Sequence, residues 1–175
     1  MTTSNNSYEQ LINYIYNIDM PDIPEEELRT MRECVDKIAD IFHRHGNLPS
    51  LIEDLDVCRD DANVLAALTG TLSCMNAKLS STAANFETIR SLEKARRFVF
   101  WKSQKDSSTN KNFSDTHADC KARIDVEKLT VESMKTKSCA ERISNLIKAA
   151  NCHADHLIQH TRMIYYSRRV EDNVD

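Results

Sequence analysis

Between Lys94 and Lys111 stand six bases, Lys94, Arg96, Arg97, Lys102, Lys105 and Lys111, against a single acid, Asp106. Phe98, Phe100 and Trp101, the only tryptophan, are interleaved with them. This is the chemistry that grips unpaired nucleotides: cations follow the phosphates while flat rings or guanidinium planes stack on bases, largely without regard to sequence. The same residues also fit a plainer role, a helix end whose aromatics fill a core and whose bases offset the helix dipole. Arg96 favours the first role, because it stands at a seam position where a core helix prefers an apolar side chain.

Two further clusters contain residues able to do chemistry. His153, His156 and His160 fall at i, i+3 and i+7 on one helical face, a geometry that can hold Zn²⁺. A metal site normally draws ligands from more than one element, and His43 and His45 are far away in sequence. The expectation is therefore packed or surface histidines, with no metal and no cofactor. Arg162, Arg168 and Arg169 with Tyr165 and Tyr166 either extend a phosphate-binding surface or cap a last helical turn. The sequence has no H-E-x-x-H, no glycine-rich loop and no recognisable nucleophile–base spacing, so the reading is non-catalytic. Six cysteines at irregular spacing, Cys34, Cys58, Cys74, Cys120, Cys139 and Cys152, read as buried free thiols rather than a disulfide framework or zinc ribbon.

The elements that position these groups are helices. The chain has 175 residues but only two glycines and three prolines, too few for an all-β fold or a phosphate-cradling Rossmann turn. Ser7-Tyr8-Glu9-Gln10 is a capping-box start for a first helix carrying Leu11, Ile12 and Ile15. Pro24 and the acidic turn Glu25-Glu26-Glu27 open a second, with Leu28, Met31, Val35, Ile38 and Phe42 at helical spacing, stopped by Gly46 and Pro49. Ser50 and Glu53 restart a short helix. From Val64 the pattern is long: Leu65, Leu68, Leu72, Met75 and Leu79 alternate by three and four, with Phe86, Ile89, Leu92 and Val99 continuing the stripe. After a polar stretch near 103–118 a second long stripe runs through Ile143, Ile147, Ala150, Ala154, Leu157, Thr161 and Ile164. Traced back, it meets the thin series Ala122, Val126, Leu129, Ser133, Thr136 and Ala140.

These readings predict an all-α fold: a long antiparallel helical hairpin with two or three shorter N-terminal helices packed on it. Residues 1–58 form an acidic helical region, with 13 acids against 5 bases in residues 1–60, and residues 59–175 form the hairpin. A polar N-terminus and the lack of any long apolar run predict a soluble cytoplasmic protein with no membrane association. Sustained heptads over a thin seam suggest a homo-oligomer.

Lys94-Ala95-Arg96 followed by Phe98, Phe100 and Trp101, then a polar loop, then a return helix carrying Ile158-Gln159 and Arg162, resembles the phage recombination mediators of the UvsY type over about the last 100 residues. The resemblance implies an oligomeric, non-catalytic binder of single-stranded DNA in the host cytoplasm. Such a protein helps load a recombinase onto DNA covered by single-strand-binding protein. It implies Lys94 and Arg96 as the DNA-contacting pair, within a site of Lys94, Arg96, Arg97, Trp101, Lys102 and Lys105. The alternative is a helical scaffold or regulatory adaptor whose acidic N-terminal region docks a protein partner.

Overall fold

Three consecutive glutamates behind Pro24 oppose the exposed amides of a helix start, and the Leu28 amide closes the first turn on the Pro24 carbonyl at 3.1 Å. This helix, α1, runs Glu25–Gly46 and ends with His43, Arg44 and His45 in its last turn, where positive charge is favoured. In the computed structural model, which describes residues 23–46 and 55–171, it is followed by α2 (Leu55–Ser103), α3 (Asp115–Asp125) and α4 (Glu127–Glu171). The fold is all-α, with α2 and α4 packed closely as a long helical hairpin. Among the described residues no helix is long and apolar enough to cross a membrane. The expected first helix at Ser7–Ile15 and the restart at Ser50 and Glu53 lie outside the described residues. Gly70 is interior to α2.

The chain divides into two compact units, residues 1–77 with 141–175, and residues 78–140. Both limits fall inside α2 and α4, so neither helix belongs to one unit alone. The limit at 58/59 read from charge lies in the first turn of α2.

In the first unit α1, the start of α2 and the last part of α4 enclose large aliphatic side chains. Met31, Val35 and Ile38 from α1, Leu65 and Leu72 from α2, and Ile143 and Leu146 from α4 are fully buried. Every one of these follows the three-and-four spacing of its helix, and burial of each side chain contributes on the order of 2 kcal/mol. The second unit is built differently. The thin series was the true seam: Ala118, Ala122, Val126, Ser133, Thr136, Cys139 and Ala140 are the buried residues of α3, α4 and the junction between them, with Leu79 from α2.

The α2 stripe departs from expectation beyond Leu79. Ile89 is 50% exposed, and Leu92 and Val99 are each 67% exposed. The inward positions run instead through Phe86, Arg90, Lys94, Phe98 and Trp101, all half-buried. A helix of 3.6 residues per turn drifts about 20° per heptad against a strict seven-residue repeat. Three heptads past Leu65, the drift carries Ile89, Leu92 and Val99 away from the partner helix and brings cationic and aromatic residues inward.

The connection Gln104–Ser114 is polar, as expected, but pinned at both ends. The Asp106 amide donates to the Lys111 carbonyl and the Asn110 amide to the Asp106 carbonyl, both at 2.8 Å, and Lys105 pairs with Asn112 in a single antiparallel bridge. Asn110 takes the left-handed conformation (φ 53°) that asparagine tolerates. The Asp106 carboxylate accepts from the Ser108 hydroxyl and amide, which holds its carboxyl below the usual range. Ser114 then caps α3, accepting from the His117 amide at 3.3 Å.

Candidate nucleic-acid interface

Positive charge is concentrated in the second unit. Residues 78–140 hold 13 Lys and Arg against 8 Asp and Glu, net +5, while the rest of the chain holds 10 against 19, net −9. The six residues expected to bind nucleic acid all lie here, and the structure sorts them by environment.

Lys94 faces α3, its Nζ 2.8 Å from Asp119 with 32% of its side chain exposed. Asp119 also holds Arg123 at 2.7 Å, and its carboxyl is lowered chiefly by the hydrogen bond from Lys94. Lys102 reaches Asp115 at 2.6 Å and donates to the Phe113 carbonyl at 3.3 Å. Trp101 is half-buried; its indole N–H donates to Asp125 at 2.8 Å, Lys121 Nζ stands 4.6 Å from its ring centroid, and Phe113 packs on it edge-on. Lys94, Trp101 and Lys102 thus tie the end of α2 to α3 and to the residues that lead into it. The Trp101 ring is in contact with Lys121 and Phe113 rather than fully open to solvent.

Arg96, Arg97 and Lys105 stand apart from those ties. Arg96 is the most open of the six, with 83% of its side chain exposed and only a loose approach to Glu93 at 3.6 Å. Arg97 donates to Glu93 at 2.9 Å and is half exposed. Glu93, Arg96, Arg97 and Phe100 line a shallow cavity of about 230 Å³ on α2, and Phe100 itself is 48% exposed. Lys105 and Lys111 are exposed on the connecting loop, with no ion-pair partner among the described residues. This arrangement sets two solvent-exposed cations beside an accessible ring, which is what stacking and phosphate contact require.

A second groove, of about 440 Å³, lies where α3 gives way to α4 and is lined by Arg90, Lys94, Arg123, Ile124, Val126, Glu127 and Thr130. Arg90 is anchored there by Glu87, whose carboxyl is lowered mainly by that hydrogen bond and which also accepts from Ser133 at 3.5 Å. Sequence reasoning missed Arg90 and Arg123. Neither falls in the basic and aromatic strip that the sequence drew attention to, and they line one groove only because folding brings position 90 opposite position 123.

The other clusters belong to the first unit. Arg162, Tyr165 and Tyr166 are exposed on α4. His153 and His160 are half-buried and His156 exposed. The second element that the histidine face lacked in sequence is supplied by folding: His45 on α1 comes against His153 and is held there by Asp61 on α2. His45 Nε2 is 2.7 Å from Asp61 Oδ2, and Arg44 Nη1 contacts both oxygens of Asp61 at 2.8 and 2.9 Å. The rings of His45 and His153 are 5.6 Å apart, with Phe42 edge-on to His153 at 5.0 Å. Burial, then the neighbouring His45 and His156, lowers the pKa of His153. Of the six thiols, Cys34, Cys58 and Cys139 are buried as expected, while Cys74, Cys120 and Cys152 are exposed on helix surfaces. Desolvation pushes the Cys34 thiol up.

No protein-family model matches this chain, and no curated protein or solved structure matches it either.

Proposed function

We propose that this protein is a non-catalytic accessory protein that binds single-stranded DNA through residues 78–140 and works as a homo-oligomer. The observation that carries the proposal is the concentration of net positive charge in that unit, with Arg96 open to solvent beside the accessible ring of Phe100. Arg96, Arg97 and Phe100 form the primary contact, with Lys105 and Lys111 following the phosphates along the loop. Lys94, Trp101 and Lys102 hold α3 against α2 and so shape the surface. A few cations per copy give weak binding, which becomes tight when several copies engage one strand. The role that the resemblance implies, loading a recombinase onto DNA covered by single-strand-binding protein, suits a binder of this kind. It tracks the backbone and stacks on bases of any sequence.

Fluorescence anisotropy of a labelled oligothymidylate, titrated at two salt concentrations, tests the reading. Affinity falls steeply with salt, and the triple variant Arg96→Ala, Arg97→Ala, Phe100→Ala binds roughly tenfold or more weakly with unchanged helicity. Salt-independent or unchanged binding in that variant defeats the assignment.

The exposed aliphatic rows favour a second reading, a helical adaptor for a protein partner. Ile89, Leu92 and Val99 on α2, and Ile124, Val131 and Met134 on α3 and α4, are all exposed. A protein that recovers a partner from solution with no DNA affinity at low salt supports this reading over the first.

A further inference from the structure

The Arg44–Asp61–His45 contact has the form of a metal ligand held by its supporting carboxylate. A histidine that ligates a metal almost always donates its other ring N–H to a carboxylate or carbonyl, which fixes the tautomer and turns the free lone pair toward the ion. Here Asp61 takes the Nε2 proton of His45 at 2.7 Å and is itself clamped by two bonds from Arg44. That leaves the lone pair of His45 on Nδ1, which is buried with no hydrogen-bond partner. Nε2 of His153 is buried in the same condition. Two unpartnered nitrogens on adjacent rings in a packed interior are costly, at about 1–3 kcal/mol each, unless something joins them.

We infer that these two nitrogens form a seat for a transition-metal ion, Zn²⁺ above all. Zn–N bonds of about 2.0–2.1 Å place two coordinating imidazole centroids about 5 to 6.5 Å apart, for N–Zn–N angles from tetrahedral to linear. The observed separation is 5.6 Å. The three supporting elements are different helices: His45 closes α1, Asp61 stands in the second turn of α2, and His153 lies on α4. No three His, Cys, Asp or Glu side chains among the described residues already converge as a metal-holding group. The seat is thus a two-nitrogen one, completed by water or by a third side chain that rotates in. Cys58, His156 and His160 line a cavity of about 400 Å³ with His153, and of these only Cys58 comes from a helix other than α4, with a buried thiol whose thiolate suits Zn²⁺. Asp61 is a positioning residue, touching the ligand rather than the ion.

The test is titration of the full-length, tag-free, chelator-treated protein with Zn²⁺ by calorimetry, with Co²⁺ as the spectroscopic stand-in. The expected result is one ion per chain at micromolar affinity or better. Binding weakens at least tenfold in His45→Gln and in His153→Gln, and by 10- to 100-fold in Asp61→Asn. The Co²⁺ complex shows the visible bands of a tetrahedral site, with a thiolate charge-transfer band that Cys58→Ser removes. Where a variant fails to fold, imidazole ¹⁵N shifts in the native protein give the answer directly: Zn²⁺ moves the His45 and His153 signals. Lack of binding overturns the inference. So does binding that survives both histidine substitutions, or ¹⁵N shifts confined to His156 and His160.

Discussion

Residues 78–140 and the remainder of the chain are both helical, yet they are held together by different forces. The first unit buries Met31, Val35, Ile38, Leu65, Leu72, Ile143 and Leu146, so dispersion and the hydrophobic effect dominate it. The second buries mostly alanine, serine, threonine and cysteine, and ties its helices through polar contacts such as Lys94–Asp119, Lys102–Asp115, Trp101–Asp125 and Ser133–Glu87. Partly exposed ion pairs contribute little, about 0–1 kcal/mol each. The unit that carries the basic surface is therefore the one with the smaller margin of stability. That fits the proposed role, since ligand-binding segments are drawn from the less stable parts of a fold.

The contrast can be broken at its strongest point first. Ile143→Ala, in the fully buried core of the first unit, should cost roughly 3–4 kcal/mol in urea unfolding, whereas Ile89→Ala, half exposed in the second, should stay within about 0.5 kcal/mol. Equal costs would mean that Ile89 is covered in solution, which sharpens the case for an oligomer. Asp61→Asn removes the charge and one of the two acceptor oxygens that hold Arg44 and His45, and should destabilise by roughly 2–3 kcal/mol, toward the lower end for a buried pair because Arg44 is nearly half exposed.

Acid should loosen the second unit by a defined route. The carboxyl of Asp119 is lowered in the folded chain, so its contribution is fully present above the unfolded value of 3.8 and is lost as pH falls through the lower folded pKa. Hydrogen exchange across α3 should accelerate in that window, and Asp119→Asn should show the faster exchange already at neutral pH. An α3 whose protection is unmoved by Asp119→Asn would show that the Lys94 tie is incidental. The smallest effect is a gain. Gly70 lies on an exposed face inside α2, and a Cβ there meets nothing within 4 Å. Gly70→Ala should therefore raise stability by about 0.5–1 kcal/mol, read as a higher urea midpoint at constant slope.

Periodicity made the helices legible. Each large aliphatic at steps of three and four from Leu28 to Ile38, from Leu65 to Leu79, and again from Ile143 to Leu157, is buried or half-buried. Even the weak series Ala122 to Ala140 marked its seam correctly, because a helix face is decided by spacing rather than by side-chain size. Reading failed where a strict heptad was carried too far along α2. It also failed for the cationic strip, where composition could not separate the bases that tie α3 from those left to solvent.

What the amino-acid order determined by itself is therefore the helical class, the ends of α1, the polar connection and the clustering of positive charge. These depend on nearest neighbours along the chain: propensity, capping, spacing and net charge. Only tertiary structure decided that Lys94 is bound to Asp119 while Arg96 is open, and that His45 meets both Asp61 and His153. Those facts depend on which residues far apart in sequence become neighbours when the helices pack, and a carboxylate neutralises a cation only within a few ångströms.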